Sequence, residues 1–368
     1  MTTGFYRAKV RHAALAFVWL ARGAAAVAIC VACGSETVGN PPDAVAAVRV
    51  SQTQRRMGVP WTITVYAKSA ADGHVAIAAG FAEVTRLERI LSDYDPLSEL
   101  SQLSAQSPTS SPKPLSDDLW RVLSRAVEVR DATGGAFDPT VGPLTSLWRQ
   151  SRKSGRLPVP EKLAAAREAV GPQTLLLVPD GRGAMLTRPA MRLDLGGIGM
   201  GYAVDRAMEV LNREGITSAM VDASGDIAVT APPPGTEGWR IAIAPLLRAG
   251  TGDAPREEGD HLLLVHAAVT TSGDAFQAVD IDGRRYSHIV DPRTGMGIAG
   301  PAAVTVIAAD CATADAVATA ASVLGPLEAA AVLEGMPGCA ARFVSLEAGQ
   351  FRHSQTPRWP SQASPSPR

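Results

Sequence analysis

Four glycines within six residues, Gly196, Gly197, Gly199 and Gly201, follow a short apolar segment that reads as a strand over residues 191–195 and ends near Asp194. Beyond them the spacing of Ala203, Ala207, Val210 and Leu211 predicts an amphipathic helix over residues 198–214. A strand, a tight glycine turn and a helix in this order constrain the fold closely. Without a Cβ in the way, the backbone N–H groups of such a turn can approach an anion at the helix N-terminus. The spacing is neither the dinucleotide-fold fingerprint nor a Walker loop, and no Lys-Ser or Lys-Thr pair follows. Two readings fit the segment by itself: a phosphate-containing ligand held by a less common fold, or a strand-to-helix turn that binds nothing.

The chain has 368 residues, enough for one large domain or two ordinary ones. Its 35 basic and 36 acidic residues leave no electrostatic footprint for nucleic acid. The N-terminus departs from this balance. Arg7, Lys9, Arg11 and His12 precede an apolar stretch over residues 13–32 that Arg22 and Gly23 interrupt. That is the layout of a secretory signal. Val31-Ala32-Cys33-Gly34 looks like a bacterial lipoprotein cleavage box, with Cys30 where such boxes usually carry leucine. The expected organisation is a leader over 1–33, a linker over 34–52, a catalytic-sized body over 53–353 and a Ser/Pro-rich disordered tail over 354–368. The chain is expected to be exported and tethered by a lipid at Cys33 to the periplasmic or outer-facing side of the bacterial inner membrane. Cys311 and Cys339 then remain in the body, in apolar surroundings, and read as two buried thiols.

Periodicity predicts a strand over 63–67, a long amphipathic helix over 71–94, loop over 101–114, and helices over 115–132 and 160–170. Strands are expected at 174–178, 184–187 and 191–195, then at 218–221, 226–230, 239–244, 261–269, 286–290 and 303–309. Helices over 314–324 and 326–335 and a strand over 341–346 complete the body. Segregated helices with mostly antiparallel strands argue an α+β fold.

Three further blocks carry chemistry. Gly134-Gly135-Ala136-Phe137-Asp138-Pro139-Thr140 closes a helix and can present an acidic side chain to a ligand edge, or be a capped end with a turn-forming Asp-Pro. His288, in Tyr286-Ser287-His288-Ile289-Val290-Asp291-Pro292-Arg293-Thr294-Gly295, is a natural general acid or base that Asp291 can orient, or a hydrogen-bonded strand-end histidine. Asp315 and Thr319 lie four apart on one helix face among alanines. A carboxylate and a hydroxyl with a loop carbonyl suit Mg²⁺ holding phosphate oxygens; the alternative is plain N-terminal helix chemistry.

In this order and spacing the blocks resemble the ApbE family, the FAD:protein FMN transferases, from about Met57 to Leu346. The matching residues are Met57-Gly58, Leu91-Ser92-Asp93-Tyr94, Gly135 to Leu144 with Leu147-Trp148, Leu193 to Asp205, and Val221 to Ile227. Thr271-Ser272-Gly273-Asp274, Ser287 to Gly295 and Ala314-Asp315 with Ala318-Thr319 complete them. The resemblance implies a T-fold-like α+β body of mostly antiparallel sheets with packed helices, and FAD bound between its subdomains. It implies Mg²⁺-dependent transfer of FMN from FAD to a threonine or serine of a partner flavoprotein, leaving AMP. Hydrolysis of FAD to FMN and AMP, or export of a non-catalytic flavin binder, are the alternatives. Carried over, Asp315, Thr319 and the Gly197 carbonyl would hold the metal, and His288 matches the histidine implicated in catalysis. Met57, Tyr94, Ala136, Phe137, Asp138, Asp194, Met200 and Ile289 would lie along FAD. The chain departs from the family at Met200, where lysine is usual, and at Asp222 and Ser224, where asparagine and glycine are common. It also departs at Ala275-Phe276-Gln277, which replaces a more usual Tyr-Glu/Arg segment. These departures bear on affinity, acceptor choice and the balance of transfer and hydrolysis.

Overall fold

The computed structural model describes residues 47–243, 261–273, 278–300, 302–347 and 350–360. The expected leader, the linker as far as residue 46, Asp274 to Gln277 and the last part of the expected tail lie outside the described residues. A hairpin of β1 (Val48–Arg56) and β2 (Val59–Ala67) leads into α1 (Ala70–Leu91). Next come α2 (Glu99–Ala105), the short β3 (Lys113–Pro114), α3 (Asp117–Ala132), α4 (Gly142–Ser154) and α5 (Pro160–Arg167). They are followed by β4 (Leu175–Val178), β5 (Gly183–Leu186), α6 (Gly199–Arg213), β6 (Ser218–Ala223), β7 (Asp226–Val229) and β8 (Trp239–Ala242). The chain continues through β9 (His261–Leu264), β10 (Ala267–Gly273), β11 (Ala278–Ile281), β12 (Arg284–Val290), β13 (Gly297–Ala299) and β14 (Ala302–Ala308). It ends with α7 (Cys311–Glu334), β15 (Ala340–Glu347) and β16 (Gln350–Gln355).

One sheet of eight strands, in the order β1-β2-β6-β7-β10-β14-β15-β16, organises the body, and each of its pairings is antiparallel. Alternation along each strand sorts side chains to its two faces. Ile63 and Val65 of β2, Ala219 and Val221 of β6, and Val304 and Val306 of β14 enter the main core with α1, α6 and α7. Tyr66, Met220, Val269 and Ile307 point the other way, onto Trp239 and Ile241 of β8 and Leu262 and Leu264 of β9. The expected inward positions of α6, Ala203, Ala207, Val210 and Leu211, are all buried. So are the two free thiols among the described residues, Cys311 and Cys339. The α+β class with mostly antiparallel strands is therefore the observed one.

A third, smaller core bears on the site. Leu144 and Trp148 of α4 pack on Ile281, Tyr286 and Val290 of the β11-β12-β13 sheet. The Trp148 indole N–H donates to the Gly295 carbonyl at 2.9 Å, which seats the turn after β12 on α4. Three hairpins close through two-residue turns with both residues at positive φ: Met57-Gly58, Ser224-Gly225 and Asp282-Gly283. That geometry matches the right-handed twist of the flanking strands.

The structure corrects several boundaries. Residues 48–52 are strand, not linker: β1 has one buried side chain, Val50, and gains its order from the ladder to β2. The expected loop over 101–114 begins inside α2, which is capped by the Ser98 hydroxyl and buries Leu100 and Leu103. No helix was expected at α4, although Pro143 sits in its first turn, where proline is well tolerated. Residues 191–195 join no sheet, because the hydroxyls of Ser104, in α2, and Ser107, just beyond it, replace a ladder partner. The Leu193 N–H donates to Ser104 Oγ at 3.0 Å and the Met191 N–H to Ser107 Oγ at 3.1 Å. Residues 261–269 divide at His266, which has φ 46°. Residues 354–360 are not disordered: Ser354 and Gln355 lie in β16, and Trp359 is buried in the second core. The two expected helices over 314–335 meet at Gly325, whose φ of 72° breaks the helical run before Pro326.

Candidate active site

None of the four turn glycines adopts positive φ; two of them provide space. A Cβ on Gly197 would stand 2.7 Å from Thr319 Oγ1. One on Gly201 would overlap the Cys311 carbonyl at the start of α7. The turn is thus pressed against α7, and α6 begins at Gly199 after Ile198, which provides no side-chain cap. The Gly201 N–H donates to Asp315 Oδ2 at 3.3 Å. The sequence-predicted residues Gly197, Asp315 and Thr319 are brought together by this α6–α7 contact.

The start of α7 is held by carboxylates. Asp310 caps it, accepting from the Thr313 N–H at 2.8 Å, and Asp205 of α6 accepts from the Cys311 and Ala312 N–H groups at 2.8 and 2.9 Å. Burial pushes Asp205 up to about 7 against those two bonds. Asp226, at the start of β7, is likewise raised by burial, to about 7, while a Thr270 hydroxyl bond opposes the shift. Asp315 is fully buried and raised well above the usual carboxylate range, first by burial and then by the Asp226 charge. Closely set buried carboxylates favour either a proton or a cation. Among the described residues no group of three His, Cys, Asp or Glu side chains is arranged to hold a metal by itself. A metal here would need hydroxyl, carbonyl and substrate oxygens as well. The Thr319 hydroxyl beside Gly197 meets that requirement, and an all-oxygen set suits Mg²⁺.

Asp194 anchors the other end of the turn. Its Oδ1 accepts from the Gly196 N–H at 2.8 Å, and its Oδ2 from the Thr145 hydroxyl at 2.7 Å and Arg149 at 3.2 Å. Its own N–H donates to the Pro139 carbonyl at 2.8 Å, tying the turn to the block that holds Asp138. Arg149 also donates to Asp93 Oδ2 at 2.6 Å and lies 4.3 Å from the centre of the Tyr94 ring. Arg192 donates to the Asp93 carbonyl oxygen. Burial and the Asp194 charge raise the Asp93 carboxyl, with Arg149 opposing. Burial works against the Arg149 cation, but Asp194 and Asp93 outweigh it and raise its pKa.

The remaining expected residues surround this frame. Asp138 is buried and its Oδ1 closes a turn on Thr140, accepting from the N–H at 2.8 Å and the hydroxyl at 2.6 Å; burial raises its carboxyl. Ala136 and Phe137 are part of the main core. Met57 packs against that core from the β1–β2 turn, at φ 46°. Met200 is half-buried in the first turn of α6. His288 is half-buried on β12, a strand that contacts both α4 and α7, and Ile289 beside it is buried. Asp291, expected to orient His288, accepts from the N–H and Nε of Arg293 at 2.9 and 3.0 Å and so closes the following turn.

Asp93, Asp205 and Asp226 lie in blocks that carry the resemblance but had no role assigned to them, and Thr145 and Arg149 lie outside every such block. Thr145 and Arg149 sit on α4, the helix the periodicity reading passed over, and a Gly-Pro helix start was the available signal. Nothing in the sequence marks the pairing of Asp93 with Arg149, 56 residues later.

The sequence matches the family described as the ApbE family over residues 57–343. The FAD:protein FMN transferase of Treponema pallidum (strain Nichols) is 31% identical over 335 residues, spanning 86% of this chain and 90% of that protein. The Vibrio cholerae (serotype O1, strain O395) FAD:protein FMN transferase is 34% identical over 261 residues, covering 68% and 75%. Among solved structures, the apo flavinyl transferase ApbE of Pseudomonas stutzeri superposes with a TM-score of 0.73 at 31% identity, covering 86% of this chain and 96% of that one. The Vibrio cholerae flavin transferase ApbE gives 0.74 at 29% identity, covering 84% and 98%. With the family match spanning most of the body, and the fold and length shared with these relatives, this chain belongs to the ApbE family.

Proposed function

We propose that this protein transfers FMN from FAD to a threonine or serine hydroxyl of a partner protein and releases AMP. The observation that carries the reading is the buried Asp315 one helical turn from Thr319, with Gly197 pressed against that hydroxyl. Asp315, Thr319 and the Gly197 carbonyl would hold Mg²⁺, which supplies neutralisation of the pyrophosphate charge. In the reaction the acceptor oxygen forms a bond to the FMN phosphorus while the bond from that phosphorus to the bridging oxygen breaks, and AMP leaves with that oxygen. His288 takes the acceptor's proton as general base. Tyr94, Asp138, Asp194, Met200 and Ile289 would bind and orient the dinucleotide, with Ala136, Phe137 and Met57 shaping its walls from the core side.

The test is an incubation of protein, FAD, MgCl₂ and a candidate acceptor domain, with covalent flavin detected by in-gel fluorescence. His288→Ala and Asp315→Ala should each abolish the adduct while melting as wild type does; full activity in either sinks the site assignment. Free FMN and AMP appearing without an acceptor would make the protein an FAD pyrophosphatase instead. Export and a lipid tether at Cys33 are proposed from Val31-Ala32-Cys33-Gly34. Mass spectrometry of the mature N-terminus tests this, and an unmodified Cys33 within an uncleaved leader refutes it.

A further inference from the structure

We infer that Arg149 is a positioning residue that clamps the Tyr94 ring as a stacking platform for a planar aromatic ring of the bound dinucleotide. The inference rests on the FAD reading above. Tyr94 is 73% exposed, which is unusual for an aromatic ring held in one place. One of its faces is covered by the Arg149 guanidinium, 4.3 Å from the ring centre. The exposure leaves the other face to solvent.

The guanidinium cannot drift, because two buried carboxylates hold it. Nη1 donates to Asp93 Oδ2 at 2.6 Å and Nη2 to Asp194 Oδ2 at 3.2 Å. Each carboxylate is fixed in turn, Asp93 by Arg192 at 3.6 Å and Asp194 by the Thr145 hydroxyl and the Gly196 N–H. The Tyr94 backbone is pinned as well, its N–H donating to Ser92 Oγ at 3.2 Å. A free surface tyrosine loses rotamer freedom when a ligand stacks on it; a ring already clamped loses little, and the saving appears as affinity. The same network reaches the glycine turn through Asp194. The platform and the phosphate end of the site are therefore set by one arginine.

The chemistry requires arginine. A planar fork can bond two carboxylates and lie flat on a ring at once, whereas a compact ammonium can neutralise the carboxylates without stacking. Arg149→Lys thus separates the two roles. It keeps a cation between Asp93 and Asp194, so a purely structural arginine would tolerate it.

The experiment is equilibrium titration of the full protein with FAD, and separately with AMP and with FMN, alongside steady-state kinetics. Arg149→Lys should weaken FAD binding at least fivefold and raise KM equally, with kcat within twofold and an unchanged melting temperature. Tyr94→Ala, at an exposed position that the fold does not need, should weaken FAD binding to the same extent, and Tyr94→Phe should restore it. The double variant Tyr94→Ala/Arg149→Lys should bind no worse than Tyr94→Ala alone. Loss confined to AMP assigns the stacked ring as adenine, and loss confined to FMN assigns it as isoalloxazine. If Arg149→Lys binds all three within twofold of wild type, or the two substitutions act independently, the inference is overturned. A wild-type protein that binds no FAD instead overturns the functional reading beneath it.

Discussion

Gly197→Ala isolates the contact between the glycine turn and α7. Gly197 has no positive φ, so alanine meets no backbone penalty there. The added Cβ would stand 2.7 Å from Thr319 Oγ1 and 3.2 Å from both Cβ and Cγ2 of the same side chain. The closest approach falls roughly 0.8 Å short of ordinary van der Waals contact. Because three atoms of Thr319 are involved, rotating its χ1 exchanges one overlap for another, and the turn and α7 must separate slightly. Overpacking of this kind costs about 2 kcal/mol, or roughly 2–3 °C in midpoint for a chain of this size. The separation also takes the Gly197 carbonyl and the Thr319 hydroxyl apart, so Mg²⁺ affinity by calorimetry should fall at least tenfold on this reading. Thr319→Ala removes Oγ1 and Cγ2 and leaves the 3.2 Å contact with Cβ. In that background Gly197→Ala should cost less than roughly 1 kcal/mol, a non-additivity that a double-mutant cycle measures directly. An equal cost in both backgrounds would show that the clash lies elsewhere. Undiminished Mg²⁺ binding by Gly197→Ala would refute the metal assignment.

Other expectations follow from the same structure. Gly201→Ala should leave little soluble protein, since its Cβ overlaps the Cys311 backbone; Gly199→Ala, whose Cβ would meet Leu195 Cβ at 3.5 Å, should express and melt close to wild type. Trp359→Ala should destabilise the fold by about 3–5 kcal/mol in urea melts, although the residue lies in a stretch whose composition reads as tail. Asp205 is raised to about 7 in the folded protein, above its unfolded value, so between these two values the folded state keeps a proton that the unfolded state has lost. Its contribution to stability is full in acid and is lost as pH rises towards 7; the metal-free protein should melt lower at pH 7.5 than at pH 5, and Asp205→Asn should flatten that slope.

The chemistry-bearing residues were legible in the sequence wherever a local pattern carried them. The i, i+4 spacing of Asp315 and Thr319 is a property of any helix, and the glycine turn announces a close approach whatever approaches it. His288 stood out through the motif around it. The strands of the large sheet were mostly legible too, because two-face alternation is written in each strand separately. Segments stabilised from outside were misread. β1 is polar and depends on β2; α2 runs into the start of a Ser/Pro-rich stretch; residues 191–195 have the Ser104 and Ser107 hydroxyls in place of a ladder.

By itself the sequence determined the α+β class, the family, and the helix face, turn and strand on which Asp315, Gly197 and His288 stand. It could do so because short-range periodicity and motif spacing are fixed by local backbone geometry. Only the tertiary structure decided what those residues meet. It set Gly197 against Thr319, gathered Asp205, Asp226 and Asp315 around one helix start, and placed Arg149 between Asp93, Asp194 and the Tyr94 ring. These partners are separated by tens to more than a hundred residues, so no local pattern encodes them. Burial, which raises the carboxyl groups, exists only once the chain has closed around them.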